Sequence, residues 1–306
     1  MYSSLEYSKL PEIGSLAALR AVVERGGVSE AAKVLGIGQP GVTKRLRGLE
    51  KCYDLPLLHR VRGRLQLTQA GQQVYQLAVQ IMDRHQAIRE ELGNLSRGLT
   101  SMRLEATLAI GEHLLPDLLV RFQELYPDYK IDSRLAYGRQ IQTHLVTGLA
   151  NLALVENAPD HPEILVQKYL DDELWLVVGA NHPLARGGAL EIEQIPRLNF
   201  VLREPLSAIR EDLTKALARI EVHKLNIAME VGSTDAILEI LNRGRLASFL
   251  PRFAVRERVA AGTLMHLQVK GFHILRTLWI SRNRQNLDHP VVEAFIRMLR
   301  QDRQSG

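Results

Sequence analysis

A chain of 306 residues, 46% hydrophobic and 24% charged, is long enough for two domains with buried cores and falls outside the disordered, collagenous and repeat-biased classes. One cysteine, Cys52, excludes an intrachain disulfide framework and a cysteine-only metal site; with no apolar leader and no run of ~18 uncharged apolar residues, a cytoplasmic protein without a membrane partner is expected. The net charge of +5 is local: residues 1–98 hold 14 Lys and Arg against 9 Asp and Glu, whereas the remaining 208 residues hold 25 of each, which suggests a polyanion-binding module joined to a neutral domain.

Leu16, Leu19, Val22 and Val23 recur at helical spacing, and Gly26-Gly27 stops that helix. Ser29 is placed to cap a second helix, whose Ala31, Ala32, Val34 and Leu35 form a small-residue face that admits a close neighbour. Gly36-Ile37-Gly38 is a turn. Gln39-Pro40 then opens a third helix with proline in its first turn and Val42, Leu46 and Leu49 on its buried face. Helices joined by a tight glycine turn form the helix-turn-helix pattern. The stretch from Leu57 to Leu67, two strand-like runs around Gly63, predicts a basic hairpin wing that completes a first domain at residues 1–67. Thr68 begins a proline-free helix reaching Leu95, with an apolar seam of Val74, Leu77, Ile81, Ile88, Leu92 and Leu95. Such a seam cannot be buried by one helix, so residues 68–101 are expected to be a linker helix and hinge that pairs with its twin in a second subunit.

Beyond residue 101 strands and helices alternate. Strands are expected at Met102–Ala106, Lys130–Leu135, Leu152–Val155, Glu173–Val178, Asn199–Leu202, Ile227–Val231, Ala247–Leu250 and Leu275–Ile280. Helices are expected at Leu114–Leu125, Gln140–Thr147, Ser207–Arg219, Thr234–Asn242 and Pro290–Gln301. That alternation predicts α/β units with mostly parallel sheets and a crevice at the strand ends.

The runs Gly27-Val28-Ser29-Glu30-Ala31-Ala32, Gln39-Pro40-Gly41-Val42-Thr43-Lys44-Arg45-Leu46, Leu57-Leu58-His59-Arg60 and Leu67-Thr68-Gln69-Ala70-Gly71 resemble the LysR-type transcriptional regulators. The resemblance continues through Leu114-Leu115-Pro116, Asn151 to Val155, His182-Pro183-Leu184-Ala185 and Gly232-Ser233-Thr234, and so covers essentially the whole chain. It implies an α/β fold class: an N-terminal winged helix-turn-helix, a dimerising linker helix and a C-terminal two-lobed effector domain similar to periplasmic binding proteins. Residues 102–306 would hold that domain, with lobe I at about 102–165 and 270–306 and lobe II at about 166–269. It further implies double-stranded DNA with an interrupted palindrome, RNA polymerase, a small-molecule effector, a homodimer through the linker helix and a homotetramer as partners. The wording from Ile110 to Pro116 is similar to the branch that includes regulators of carbon fixation and sulfur assimilation.

On the third helix Gln39, Pro40, Thr43, Lys44 and Arg47 lie opposite the buried face, and these side chains can reach base edges: Gln for adenine, Lys or Arg for guanine, the Pro ring and Thr methyl for thymine methyls. Arg45, Arg60, Arg62 and Arg64 are expected to neutralise phosphates. Each basic residue alone also fits a solvated face; their concentration on this scaffold favours DNA. Family departures are Gly38 and Gly41 in place of Ser and Ala, and Thr43-Lys44 in place of Ser-Arg, which change base preference more than contact.

In the second domain Glu105-Ala106-Thr107, Tyr137-Gly138 and Ser207 and Thr234 are the candidate effector residues. Strand ends followed by hydroxyls and helix starts favour a small anion, although each hydroxyl also fits a plain helix cap. Glu105 where the family has a small residue, and Tyr137-Gly138-Arg139 where it has Asn-Ser, leave open a larger, more apolar or positively charged effector, with Glu105 as counter-ion. The alternative to a ligand sensor is a constitutive or architectural DNA-binding protein whose second domain binds nothing. An enzyme lacks support: the ten histidines show no His-Glu-x-x-His or Cys/His spacing, and no phosphate loop or nucleophile elbow is present, so no metal, cofactor or catalytic residue is expected. Asp171-Asp172-Glu173 reads as a solvated loop, and His113 and His182 as surface or cap histidines.

Overall fold

The computed structural model describes residues 10–61, 64–95, 100–284 and 288–305, and the chain divides into two compact units, Met1–Gly93 and Asn94–Gly306. The first holds α1 (Ile13–Arg25), α2 (Val28–Leu35), α3 (Gln39–Tyr53), the hairpin β1 (Leu58–Val61) and β2 (Arg64–Leu67), and most of α4 (Gln69–Leu95). The turn before α3 rests on Gly36, whose φ of 64° lies in the left-handed region that glycine enters at no steric cost. Ser29 does not cap α2: Gly27 holds the cap position, and Ser29 lies inside the helix. Two apolar layers hold the head together. Ala18, Ala21, Val22, Ala31, Ala32 and Val42 join α1, α2 and α3, small side chains that let the helices approach. Leu16, Leu19, Leu49, Leu57, Val74 and Ala78 join α1 and α3 to α4.

The start of α4 is therefore part of the head's core rather than a free linker. Arg20 reinforces this with a 2.6 Å ion pair to Asp83. The Thr68 hydroxyl accepts from Gly71 N–H at 2.9 Å and donates to the Pro56 carbonyl at 2.7 Å, so one side chain caps α4 and fixes the strand that leads to the wing. Glu50 on α3 accepts from Leu57 N–H at 2.9 Å and ties the same strand to the third helix. Further along α4, Leu77, Ile88 and Leu92 are exposed apolar side chains.

The second unit holds β3 (Thr100–Ala106), α5 (Leu108–His113), α6 (Leu115–Leu125), β4 (Tyr129–Leu135), α7 (Gly138–Val146), β5 (Leu152–Val155), β6 (Ile164–Gly179), β7 (Asn199–Arg203), α8 (Ala208–Arg219), β8 (Asn226–Val231), α9 (Thr234–Arg243), β9 (Ala247–Pro251), α10 (Arg252–Ala260), β10 (Leu264–His266), β11 (Ile274–Asn283) and α11 (Pro290–Ser305). Its strands run in the order β4-β3-β5-β11-β6-β9-β7-β8, with β10 beside β6. The pairs β3·β4, β3·β5, β7·β8 and β7·β9 are parallel, but every pair made by β6 or β11 is antiparallel, so the sheet is mixed rather than mostly parallel.

Those two long strands thread both lobes. Tyr169 and Leu278 belong to the core under α6 and α11, whereas Leu174 and Ile274 belong to the core under α8. The change of lobe thus falls between Tyr169 and Leu174 on β6, a few residues beyond the expected 166. Each lobe has a core on both faces of its sheet. The helix expected at Leu114–Leu125 is α6, and a short helix that was not expected, α5, precedes it with a break at Leu114.

Gly71 and Gly48 make a paired prediction. A methyl group on Gly71 would lie 2.0 Å from the Leu57 carbonyl oxygen, whereas one on Gly48 meets nothing within 4 Å. Gly71→Ala should lower the stability of the first unit by about 1–3 kcal/mol, and Gly48→Ala should raise it by about 0.5–1 kcal/mol, as read by thermal denaturation.

Candidate DNA-recognition face and ligand cleft

On α3, Val42 and Leu49 are buried, and Gln39, Pro40, Lys44 and Arg47 are exposed on the other side. With Thr43 they line one shallow concave surface. The Thr43 hydroxyl donates to the Gln39 carbonyl at 3.1 Å, which leaves the methyl as its free end. Arg45 is half-buried, its guanidinium packed over Gly14 in the first turn of α1. Arg60 is exposed on β1. Arg62 and the side chain of Arg64 lie outside the described residues.

In the second unit the residues that follow four strand ends converge. Thr107 after β3, Tyr137 after β4, Asn157 after β5 and Pro205 after β7 line a cleft of about 770 Å³ between the lobes. From one side α7 begins at Gly138 with no side chain capping its first turn; from the other α8 begins after Ser207. Arg139, Arg210 and Lys215 bring positive charge to the lining, and Glu211 negative charge. Lys215 is held by Glu211 at 2.7 Å and Arg210 by Glu230 at 3.0 Å, whereas Arg139 is exposed and carries no ion pair among the described residues. The Thr107 hydroxyl is buried and without a hydrogen-bond partner. Across the cleft Asn157 donates to Glu211 at 3.1 Å, and the Tyr137 phenol stands near the Glu204 carboxylate, which pushes the phenol's pKa up. Burial pushes the Glu204 carboxyl up, but Arg203, through two bonds of 2.9 Å, and Tyr137 outweigh it and leave the pKa below its ordinary value.

Four expected effector residues are elsewhere. Glu105 points to the α7 side of the sheet and meets His144 Nδ1 at 2.7 Å, so it is no counter-ion for the cleft. Ala106 is sealed in the core under α6. Ser207 accepts from Arg210 N–H at 3.2 Å and donates to the Glu204 carbonyl, the cap role. Thr234 is fully buried and accepts from Arg203 at 3.0 Å. Thr107, Tyr137 and Gly138 do line the cleft. Arg210 and Lys215, one and two turns into α8, were legible only as surface charges; the signal that points to them is their place just after a strand end and a capping serine.

Sequence reasoning also missed two charge clusters. Asp172 does not lie in a solvated loop but in β6, buried beside Arg276 of β11 at 2.8 Å. Arg276 also meets Glu156 at 3.2 Å and Asp212 of α8 at 3.7 Å, so one buried guanidinium gathers carboxylates from both lobes. Burial, with Glu156 adding to it and Arg276 opposing, pushes Asp212 up to about 6. His113 is mostly buried rather than a surface residue, and it stands with Glu112 opposite Asp235 of α9.

A winged helix-turn-helix head and a two-lobed α/β unit with its cleft at the strand ends define a DNA-binding regulator with a ligand-sensing domain. Residues 13–72 match the bacterial regulatory helix-turn-helix proteins of the lysR family, and residues 99–304 match the LysR substrate binding domain. The chain belongs to the LysR family of transcriptional regulators. It is 30% identical over 298 residues, 94% of this chain and 88% of the relative, to a Trichormus variabilis protein named "Probable RuBisCO transcriptional regulator". Its fold is similar to that of full-length CbnR complexed with its target DNA, with a TM-score of 0.73 at 20% identity over 95% of this chain and 99% of that one. The Synechocystis CcmR regulatory domain in complex with 2-PG matches 65% of this chain and 95% of its own, with a TM-score of 0.59 at 22% identity. Among the described residues no helix is long and apolar enough to cross a membrane.

The Asp212 carboxyl sets a pH dependence. Its folded pKa of about 6 lies above the ordinary 3.8, so the folded state holds the proton more tightly, and stability is lost as pH rises through 6. Asp212→Asn should flatten the fall in melting temperature of the second unit between about pH 4 and 7, a contribution of about 3 kcal/mol in the wild type. A full wild-type slope in the variant would overturn the assignment.

Proposed function

We propose that this regulator reads duplex DNA with Gln39, Pro40, Thr43, Lys44 and Arg47 and positions itself on phosphates with Arg45, Arg60, Arg62 and Arg64. The observation that carries it is the common exposed face shared by the five readers. Placing the Arg45 guanidinium against the start of α1 puts a side-chain cation beside an uncapped helix N-terminus, an arrangement suited to a phosphate. Heads in pairs would read the halves of an interrupted palindrome, and the exposed apolar residues of α4, Leu77, Ile88 and Leu92, support a homodimer through that helix. Further association into a tetramer and contact with RNA polymerase are proposed on family grounds, as is the cytoplasm as its place of work. No catalytic role is proposed for any residue.

The second unit, in the same proposal, senses a small anionic ligand in the cleft. Support comes from the uncapped first turn of α7, the cation Arg139 and the buried, unpartnered Thr107 hydroxyl. CcmR binds 2-PG in its regulatory domain, and QuiR binds shikimate, domains of the same fold. Occupancy would alter the cross-cleft contacts Tyr137–Glu204 and Asn157–Glu211, hence the closure of the lobes, the presentation of the heads and the bend of the DNA.

Two measurements test this. In binding assays over a salt series, Gln39→Ala and Thr43→Ala should relax base preference by about 1–3 kcal/mol at single positions, while Arg60→Ala should weaken all sequences alike and reduce the salt slope by about 1. Identical behaviour of all three would overturn the division. In thermal-shift titrations with carboxylate and phosphate metabolites, one class should raise the melting temperature, and Arg139→Ala should remove the shift. Silence across the panel would favour the constitutive DNA-binding alternative.

A further inference from the structure

At the far end of α5 from the cleft, two polar atoms are buried without hydrogen-bond partners: His113 Nε2 and Glu112 Oε2. They face each other at 4.0 Å, and Asp235 Oδ1 in the first turn of α9 stands 3.6 Å from the same imidazole nitrogen. The three ligand atoms all lie within 4.8 Å of one another. Burying an imidazole nitrogen and a carboxylate oxygen with no protein partner is costly, and native structures rarely do so without an occupant.

The donor set says what the occupant is. One imidazole and two carboxylates suit a borderline divalent transition ion such as Zn²⁺, Co²⁺ or Ni²⁺, and their charges neutralise a dication. With bonds of about 2.0–2.2 Å, tetrahedral ligands stand about 3.4 Å apart, so the 3.6 and 4.0 Å separations from the imidazole nitrogen are close to those of a bound ion, and the two carboxylates, within 4.8 Å of each other, close on it by rotation of the exposed Asp235 side chain. Ser233, the cap of α9, donates to Glu112 Oε1 at 3.2 Å and holds the other oxygen of that carboxylate, the kind of support that orients a metal ligand. Arg258 of α10 is the opposing charge nearby; it pairs with Glu239 at 3.4 Å.

We propose that Glu112, His113 and Asp235 bind one divalent transition ion that straps the two lobes of the second unit together. Glu112 and His113 come from lobe I and Asp235 from lobe II, so neither lobe alone completes the site. The strap and the ligand cleft share one short helix, since Thr107 is the cap of α5 and His113 its last residue. Metal binding itself does not rest on the identity of the cleft ligand.

The test uses the untagged full-length protein, stripped with a chelator and titrated with Zn²⁺ by calorimetry and with Co²⁺ by visible absorption. One equivalent per chain should bind, raise the melting temperature of the second unit and give the cobalt spectrum of a nitrogen and oxygen site. His113→Ala should abolish binding. Asp235→Asn should weaken it at least about tenfold, and as that side chain is 59% exposed, the variant retains its fold. His182→Ala should bind as the wild type does. Loss of affinity equal in H182A and H113A, or Zn²⁺ binding unchanged in D235N, would overturn the proposal and assign the metal to surface histidines. Absence of binding up to millimolar Zn²⁺ would overturn it as well and leave a simple histidine–carboxylate contact. None of these readouts depends on DNA or on a cleft ligand, so failure here leaves the proposed sensing function standing.

Discussion

Arg276 imposes the constraint around which the second unit is arranged. Its guanidinium is fully enclosed, and a buried cation is tolerated only where negative charge is brought to it with good geometry. Asp172 comes from the neighbouring strand, Glu156 from the end of β5 and Asp212 from a helix of the other lobe. Three carboxylates around one cation leave surplus negative charge, and the Glu156 carboxylate adds to burial, the larger cause, in pushing the Asp212 pKa up. A hydrophobic replacement of the whole cluster would hold the strands together as well or better, since Arg276 Nη2 and Asp212 Oδ2 are buried without hydrogen-bond partners.

The helical head was legible in the sequence because its signals are local. Apolar residues at spacings of three and four, glycines at the helix ends and proline in a first turn each act within a few residues, and α1, α2 and α3 follow them. The parallel α/β half-units were legible for the same reason. The amino-terminal half of β6 was not: Gln167, Lys168, Asp171 and Asp172 give it the polarity of a loop, and it is a strand because β11 lies against it and Arg276 neutralises Asp172. That long-range pairing also turned an expected parallel sheet into a mixed one. Likewise the place of α4 follows from a core shared with α1 and α3, which no pattern inside α4 announces.

At the cleft, composition identified the right segments and often the wrong atoms. Hydroxyls after strand ends serve two purposes, and the sequence does not separate them. Ser207 spends both its hydrogen-bonding capacities on the backbone of its own turn, and Thr234 receives a buried arginine, whereas Thr107 is left unbonded at the cleft wall. The alternation of β3 settles Glu105: Met102, Leu104 and Ala106 face one core, so Glu105 faces the opposite side and α7. The overall neutrality of the second domain then acquires meaning, because any preference for an anion comes from the placement of Arg139 and helix N-termini rather than from a bulk field.

Where β6 and β11 pass from one lobe to the next, their pairing slips: Leu278 faces Leu170, but Trp279 faces Lys168, so Tyr169 is an extra residue on one strand. Such a bulge breaks the ladder locally and adds right-handed twist. Two lobes joined by hydrogen-bonded strands instead of a flexible loop have one axis about which to turn, the twisted ribbon itself. Small changes at the cleft would then emerge as a rotation of one lobe against the other, with an axis fixed by the strands themselves.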